Sequence, residues 1–293
     1  MEYTMFGNTG VKVSRIGFGG AVAGLKNYLH AYDPGSKESK KAVYEALETA
    51  LEKGINYFDT AAAYGGGASE EMFGEVLSKV DPSTIFIATK CLARSKDPAV
   101  DDYDAVMRSV EGSLKRLRLQ KLDLVQLHGL SYTDEDAKRI LGERGAVEAL
   151  EQLKKDGVIR FIGFTTEDNN RAVYDFFDSG RFDMVQMCYN FLFQHPYEPS
   201  RPFGSLFEAE KRGMGISVMR ATTSGTFQKW MKTLRPDDDF DYTRALIQFV
   251  LSNRLVDVAL IGMRSAKRVL QNVEIADDLA GRIDIDSLHS RYV

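Results

Sequence analysis

Short apolar runs alternate with longer amphipathic stretches from one end of the chain to the other. The runs are RIGFGG near residue 16, INYFD at 55, TIFIATK at 84, LDLVQLH at 122, RFIGFTT at 160, FDMVQM at 182, GISVMR at 215 and VDVALIG at 256. Each is too short for a buried helix and the right length for a strand covered on both faces. Between them, helical spacing of apolar residues runs over Ser39–Lys53, Ala68–Lys79, Tyr103–Arg118, Ala146–Asp156 and Ser265–Asp278, with Gly54 and Gly157 at C-cap positions. Buried strands alternating with amphipathic helices make βα units around a parallel sheet, and eight such units predict an α/β fold of the closed (β/α)8, or TIM, barrel type. Ahead of them, TMFGNTGVKVS predicts a β-hairpin turning at Asn8-Thr9-Gly10 and lying at the barrel bottom.

No Pro/Gly/Ser-rich linker interrupts the rhythm, so residues 1–293 are expected to form a single domain. Two long stretches, Ala21–Ser36 and Ala221–Asp241, follow strands and should project from the C-terminal rim, where loops of this length are often functional. A formal net charge of −4 offers no basic field for a phosphate backbone, so nucleic acid is not an expected partner. No window has the ~18 apolar residues of a membrane span, and the N-terminal stretch lacks a leader's apolar core, so a cytoplasmic protein is expected. Cys91 and Cys188 are read as reduced thiols. No H-x-x-x-H spacing occurs and His30, His195 and His289 do not end strands, so no metal is expected.

The glycine-rich stretch Gly17–Gly24 invites two phosphate-binding readings and fits neither. G-x-G-x-x-G needs glycine where Val22 stands, and a phosphate loop needs lysine where Leu25 stands. A tight turn after the first strand is the better reading. More telling are the polar residues that end apolar strands: Asp59 on the second, Lys90 on the third and His128 on the fourth. Tyr64 follows Asp59 by five residues, ahead of a glycine triplet that lets the phenol turn back over the barrel. Singly, these are explained as a turn cap, rim packing, a surface lysine and a core histidine. Together they would converge on one barrel mouth, where active sites of this fold are built. A free tyrosine, with its pKa of ~10, is a poor proton donor at neutral pH; an adjacent Lys90 ammonium is expected to lower that value, Asp59 to hold the lysine charged, and His128 to hydrogen-bond the oxygen that receives the proton.

These blocks resemble the aldo-keto reductases. The resemblance rests on Asp59-Thr60-Ala61 with Tyr64-Gly65, Ala88-Thr89-Lys90, and Leu127-His128, and extends through GNTGVKVSRIGFG, SLKRLRLQKLDLVQLH, LEQLKKDGVIRFIGFTT, VQMCYNFL and IGMRSAKRVLQNV. It implies an NAD(P)H-binding barrel without a Rossmann unit, with Tyr64 as acid, Asp59 and Lys90 in support, and His128 at the substrate carbonyl. It further implies that Gln186 holds the nicotinamide amide with Thr165, which replaces the usual Ser, and Thr166, which replaces the usual Asn. Met219 stands where the family often has a stacking aromatic, with Arg220 next. Gly262, Met263, Arg264, Ser265, Arg268, Gln271 and Asn272 match the segment that grips the adenosine phosphate. Arg264, Lys267 and Arg268 at the start of the last helix favour NADPH/NADP+ over NADH. The chain ends soon after that helix, so an open pocket is expected. The implied activity is reduction of an aldehyde, ketone or sugar carbonyl. The alternatives are an aldose 1-dehydrogenase working oxidatively and, in another class, a cofactor-sensing binding subunit. The sequence fixes neither direction nor oligomeric state.

Overall fold

The computed structural model describes residues 1–29, 31–95, 97, 99–198 and 203–290, so His30 lies outside the described residues. A two-stranded antiparallel hairpin, β1 (Tyr3–Met5) and β2 (Lys12–Ser14), precedes eight parallel strands. These are β3 (Ile16–Gly19), β4 (Tyr57–Asp59), β5 (Phe86–Cys91), β6 (Leu122–Leu127), β7 (Ile159–Thr166), β8 (Met184–Cys188), β9 (Gly215–Met219) and β10 (Val258–Gly262). They pair in chain order, and β10 closes the barrel on β3 through Ala259↔Ile16 to Gly262↔Gly19. All eight apolar runs are therefore strands of one closed sheet.

The barrel is filled from below. Phe6, fully buried in the hairpin turn, meets Tyr57 and Phe86 edge-on at 5.4 Å each, and those rings begin β4 and β5. Ala88, Leu124, Met184 and Val258 complete this interior, so no channel runs through it. Outward-facing Ile87, Val125, Ile162 and Val185 pack under the helix ring. The helices Lys37–Glu52, Ala68–Leu77, Asp102–Leu117, Ala146–Lys155 and Ala266–Asp277 fall within a few residues of the expected spans. The Ala221–Asp241 stretch differs from expectation, because it contains the helix Thr226–Leu234, none of whose residues is buried. Its apolar residues Phe227, Trp230, Met231 and Leu234 do stand at helical spacing, but the helix packs among rim side chains, Phe227 meeting Phe191 and Tyr242, rather than under the barrel wall, outside the strand–helix rhythm. Ala21–Ser36 likewise opens with a short helical turn, Ala21–Gly24.

Candidate active site

Strand register brings the polar strand ends together at the C-terminal mouth. Asp59 sits opposite Ala88 on β5, and Lys90 sits opposite Gln126 on β6. Because side chains alternate along a strand, Lys90, Gln126 and Asp59 all point inward. Lys90 Nζ donates to Asp59 Oδ1 at 2.5 Å and to the Thr60 carbonyl at 2.9 Å, while Gln126 Nε2 donates to Asp59 Oδ2 at 3.1 Å. The buried carboxylate thus has a partner on each oxygen. Gln126 did not stand out as a site residue in the sequence, although its place two residues before His128 marks it as sharing the same face.

Tyr64 is set by the turn that follows β4. Gly24 and Gly65 pack so closely, backbone to backbone, that a side chain on either would collide with the other segment, and Gly65 has φ +67°. Behind the turn, Thr60 Oγ1 donates to Ser69 Oγ at 2.8 Å, and Ser69 Oγ donates to the Gly20 carbonyl at 2.9 Å. The fully buried Glu70 accepts from Thr89 Oγ1 at 2.5 Å and from Arg116 Nε at 2.6 Å. The phenol is therefore aimed by packing and hydrogen bonds from three elements. Its ring lies 4.9 Å from Lys90 Nζ and meets the His128 ring edge-on at 5.5 Å.

The electrostatics correct one expectation. Burial pushes the Tyr64 hydroxyl above its ordinary value, and this outweighs the downward pull of Lys90, whose charge is largely answered by Asp59. Tyr64 thus holds its proton firmly until a strong base develops beside it. Burial is also the largest influence on Lys90 and acts to lower it, but Asp59 and Tyr64 together leave its ammonium more firmly protonated than usual. His128 is pushed down to about 4, by burial first and by Lys90 second, so it is a neutral hydrogen-bond donor at pH 7. Its position is pinned from both sides. The His128 N–H donates to the Cys91 carbonyl at 2.7 Å, and Thr165 Oγ1 exchanges two hydrogen bonds with the neighbouring Gly129 backbone at 2.6 and 3.0 Å.

A cavity of about 340 Å³ extends from Asp59, Tyr64 and His128 past Thr165, Gln186, Met219 and Arg220. It continues, through shared walls at Val22, Thr222 and Gly262, into a cleft of about 740 Å³ lined by Arg264, Ser265, Arg268 and Asn272. Gln186 Nε2 donates to Met219 Sδ at 3.7 Å, and its Oε1 is buried without a partner. Arg264 lies over the Tyr32 ring at 4.4 Å with a buried, unpartnered Nη1. Unsatisfied buried polar atoms at both ends of one continuous cleft fit a long ligand with an amide-like head and an anionic tail. Arg220 pairs with Glu167 at 2.5 Å across the cavity mouth. Four expected contacts do not line this cleft. Thr166 faces away and its Oγ1 accepts from the Asp168 N–H at 2.9 Å, Met263 is fully buried behind the strand end, and Lys267 and Gln271 are exposed on the helix flank. Conversely, Gln228, Lys229 and Lys232 line it from the unexpected helix.

A buried lysine–aspartate pair, a tyrosine that holds its proton and a neutral histidine thus cluster at the mouth of a (β/α)8 barrel, an arrangement that can donate a proton beside a long cleft. Residues 15–285 match the model of the Aldo/keto reductase family, and the chain belongs to that family of oxidoreductases. Among curated proteins, it is 29% identical to the L-galactose dehydrogenase of Arabidopsis thaliana, over 95% of this chain and 89% of that one. Among solved structures, it superposes on the holo form of the aldo-keto reductase AKR11C1 of Bacillus halodurans with a TM-score of 0.75, at 23% identity over 99% and 95% of the two chains. An aldo-keto reductase of Klebsiella pneumoniae in complex with NADPH gives a TM-score of 0.72 at 19% identity, over 99% and 94%. Among the described residues no helix is long and apolar enough to cross a membrane.

Proposed function

We propose that the protein is an NADP(H)-dependent oxidoreductase that reduces an aldehyde, ketone or sugar carbonyl to the alcohol, with Tyr64 as general acid. The observation that carries this is the Asp59–Lys90–Tyr64 chain ending beside neutral His128 on the cleft that holds the unpartnered Gln186 Oε1. When bound, NADPH supplies a hydride to the carbonyl carbon. The chain's own residues manage the oxygen. His128 and Tyr64 hydrogen-bond it, and as the C=O π pair moves onto oxygen Tyr64 transfers its phenolic proton there, completing the alcohol. The tyrosinate left behind faces the Lys90 ammonium and regains its proton from solvent. Gln186 and Thr165 suit the nicotinamide carboxamide, and Arg264, Ser265, Arg268 and Asn272 suit the adenosine 2′-phosphate. The NADPH complex of the Klebsiella relative supports this choice of cofactor.

The second reading, oxidation of an aldose at C1, is favoured by the resemblance to L-galactose dehydrogenase. The same residues serve it in reverse, Tyr64 accepting the proton. Initial rates with NADPH, NADH, NADP+ and NAD+ against a panel of aldehydes, ketones, aldoses and alcohols separate the readings. Turnover of carbonyls with NADPH is expected. Turnover confined to aldose oxidation would favour the second reading, and tight cofactor binding with no turnover in either direction would point to a cofactor-sensing subunit.

A further inference from the structure

The proton-donor site opens on a second side. A cavity of about 410 Å³, on the other side of His128 from the dinucleotide cleft and sharing that residue with it, reaches Lys90 and His128 from the rim above β5. Its size falls in the range of small-ligand pockets. Most of its wall is small or apolar, including Ala62, Ala63, Leu92 and Ser109, and the side chain at its edge is Arg94. None of its lining residues is acidic. Lys90 is neutralised by Asp59, and His128 is uncharged at pH 7. The uncompensated charge on this cavity is therefore that of Arg94.

The surroundings explain why no protein carboxylate answers it. Arg94 makes no ion pair and no side-chain hydrogen bond among the described residues. Of the acids nearest in sequence, the exposed Asp97 accepts from the Ala99 N–H at 2.9 Å rather than pairing with Arg94, Asp102 pairs with Arg139, and Asp101 and Asp104 pair with Arg144. Those engagements also fix the Arg94 backbone. Asp102 Oδ1 accepts from the Ser95 N–H at 2.7 Å, and Arg139 Nη1 donates to the Ala93 carbonyl at 3.0 Å. The guanidinium is thus carried on an anchored segment with its donors free, at the edge of the cavity that ends on the reacting centre. A guanidinium with free donors is well matched to a carboxylate or phosphate.

We propose that Arg94 is a specificity-determining residue that binds an anionic group, carboxylate or phosphate, on the far end of the carbonyl substrate. This rests on the proposed reductase function. The chemistry of the reduction is unchanged: Arg94 orients the substrate and takes no part in hydride or proton transfer. A charge-assisted pair at this exposed site should favour an anionic substrate over its neutral counterpart by about threefold to tenfold, carried mainly in KM.

The test compares kcat/KM for 4-carboxybenzaldehyde against benzaldehyde and for glyceraldehyde 3-phosphate against glyceraldehyde, with saturating NADPH. A preference for the charged member is expected in one pair or both, and the pair that shows it tells carboxylate from phosphate. The preference should fall toward unity in Arg94→Gln, largely survive in Arg94→Lys, and shrink at ~1 M ionic strength, where the Debye length is about 3 Å. A ratio near one in both pairs for the unaltered protein, or a preference that Arg94→Gln leaves intact, would overturn the proposal while leaving the reductase reading standing. If no aldehyde is reduced, that reading fails instead, and calorimetric titration with benzoate against benzamide still decides the role of Arg94. Benzoate binding lost in Arg94→Gln supports it, and equal binding of the two ligands overturns it.

Discussion

Asp59→Asn isolates the buried ion pair on which the site depends. The substitution keeps the shape and one hydrogen-bond acceptor, but it leaves Lys90, 1% exposed, without a counter-charge. Burial, the largest influence on Lys90, then acts nearly unopposed and drives its pKa down. Removing one partner of a buried pair costs about 3–5 kcal/mol. The cost has a ceiling, because the lysine can release its proton: from an ordinary value of 10.5 that costs at pH 7 about 5 kcal/mol, at about 1.4 kcal/mol per pH unit. A lysine whose folded pKa lies below its unfolded one destabilises less as pH rises between the two values. Denaturant unfolding of the variant should therefore show a loss of about 3–5 kcal/mol at pH 7, with about 1–3 kcal/mol regained relative to the unaltered protein by pH 9, the larger regain going with the larger loss. The unaltered protein, whose Lys90 is raised, has no such gain from this group in that window. The double variant Asp59→Asn/Lys90→Met should recover most of the loss. A loss under ~1 kcal/mol with no pH dependence would refute the reasoning.

Three further outcomes follow from other parts of the molecule. The His128 ring should titrate by NMR near pH 4 and remain low in Lys90→Met, because burial is the larger cause; a midpoint near the ordinary 6.5 would mean that water reaches the ring and that burial does not set its charge. Asp257, whose oxygen accepts the Gly7 and Ile216 N–H groups under the barrel, is pushed up to about 6 by burial, so the fold loses stability as pH rises from the ordinary 3.8 to about 6, where the unfolded chain has released a proton that the folded one still holds. Asp257→Asn should flatten the change in stability between pH 4 and 6.5 by up to about 3 kcal/mol, with an unaltered slope counting against this assignment. Arg268→Ala should weaken NADPH binding by about tenfold to a hundredfold while leaving NADH nearly unaffected, as read by fluorescence titration; equal losses would assign the basic cluster to a solvated helix face.

The barrel was legible because its strands are buried on both faces and so read as uninterrupted apolar runs. Asp59, Lys90 and His128 stood out for the same reason, each being a polar residue that ends such a run. Gln126 escaped notice inside LDLVQLH because its partner, Asp59, is supplied by a different strand and only the closed register brings the two together. The helix Thr226–Leu234 went unassigned although Phe227, Trp230, Met231 and Leu234 stand at helical spacing, because it is an insertion on the rim outside the strand–helix rhythm that marks the barrel. Thr166 shares the family resemblance of Thr165, yet adjacent residues on a strand point to opposite sides, and of the two only Thr165 faces the cavity. The upward shift of Tyr64 depends on how far Asp59 spends the charge of Lys90, a balance set by three-dimensional distances. Arg94 gave no signal in the sequence, because its lack of a partner among the described residues depends on where Arg139 and Arg144 fold.

The most direct measurement is Tyr64→Phe, read in a single turnover with NADPH and the best carbonyl substrate, alongside fluorescence titration of the cofactor. Removing only the phenolic oxygen should slow reduction by ~10²-fold or more, the scale of a general acid, with cofactor affinity nearly unchanged. Reduction slowed by less than about tenfold, with the cofactor still bound, would contradict the assignment of Tyr64 as the proton donor.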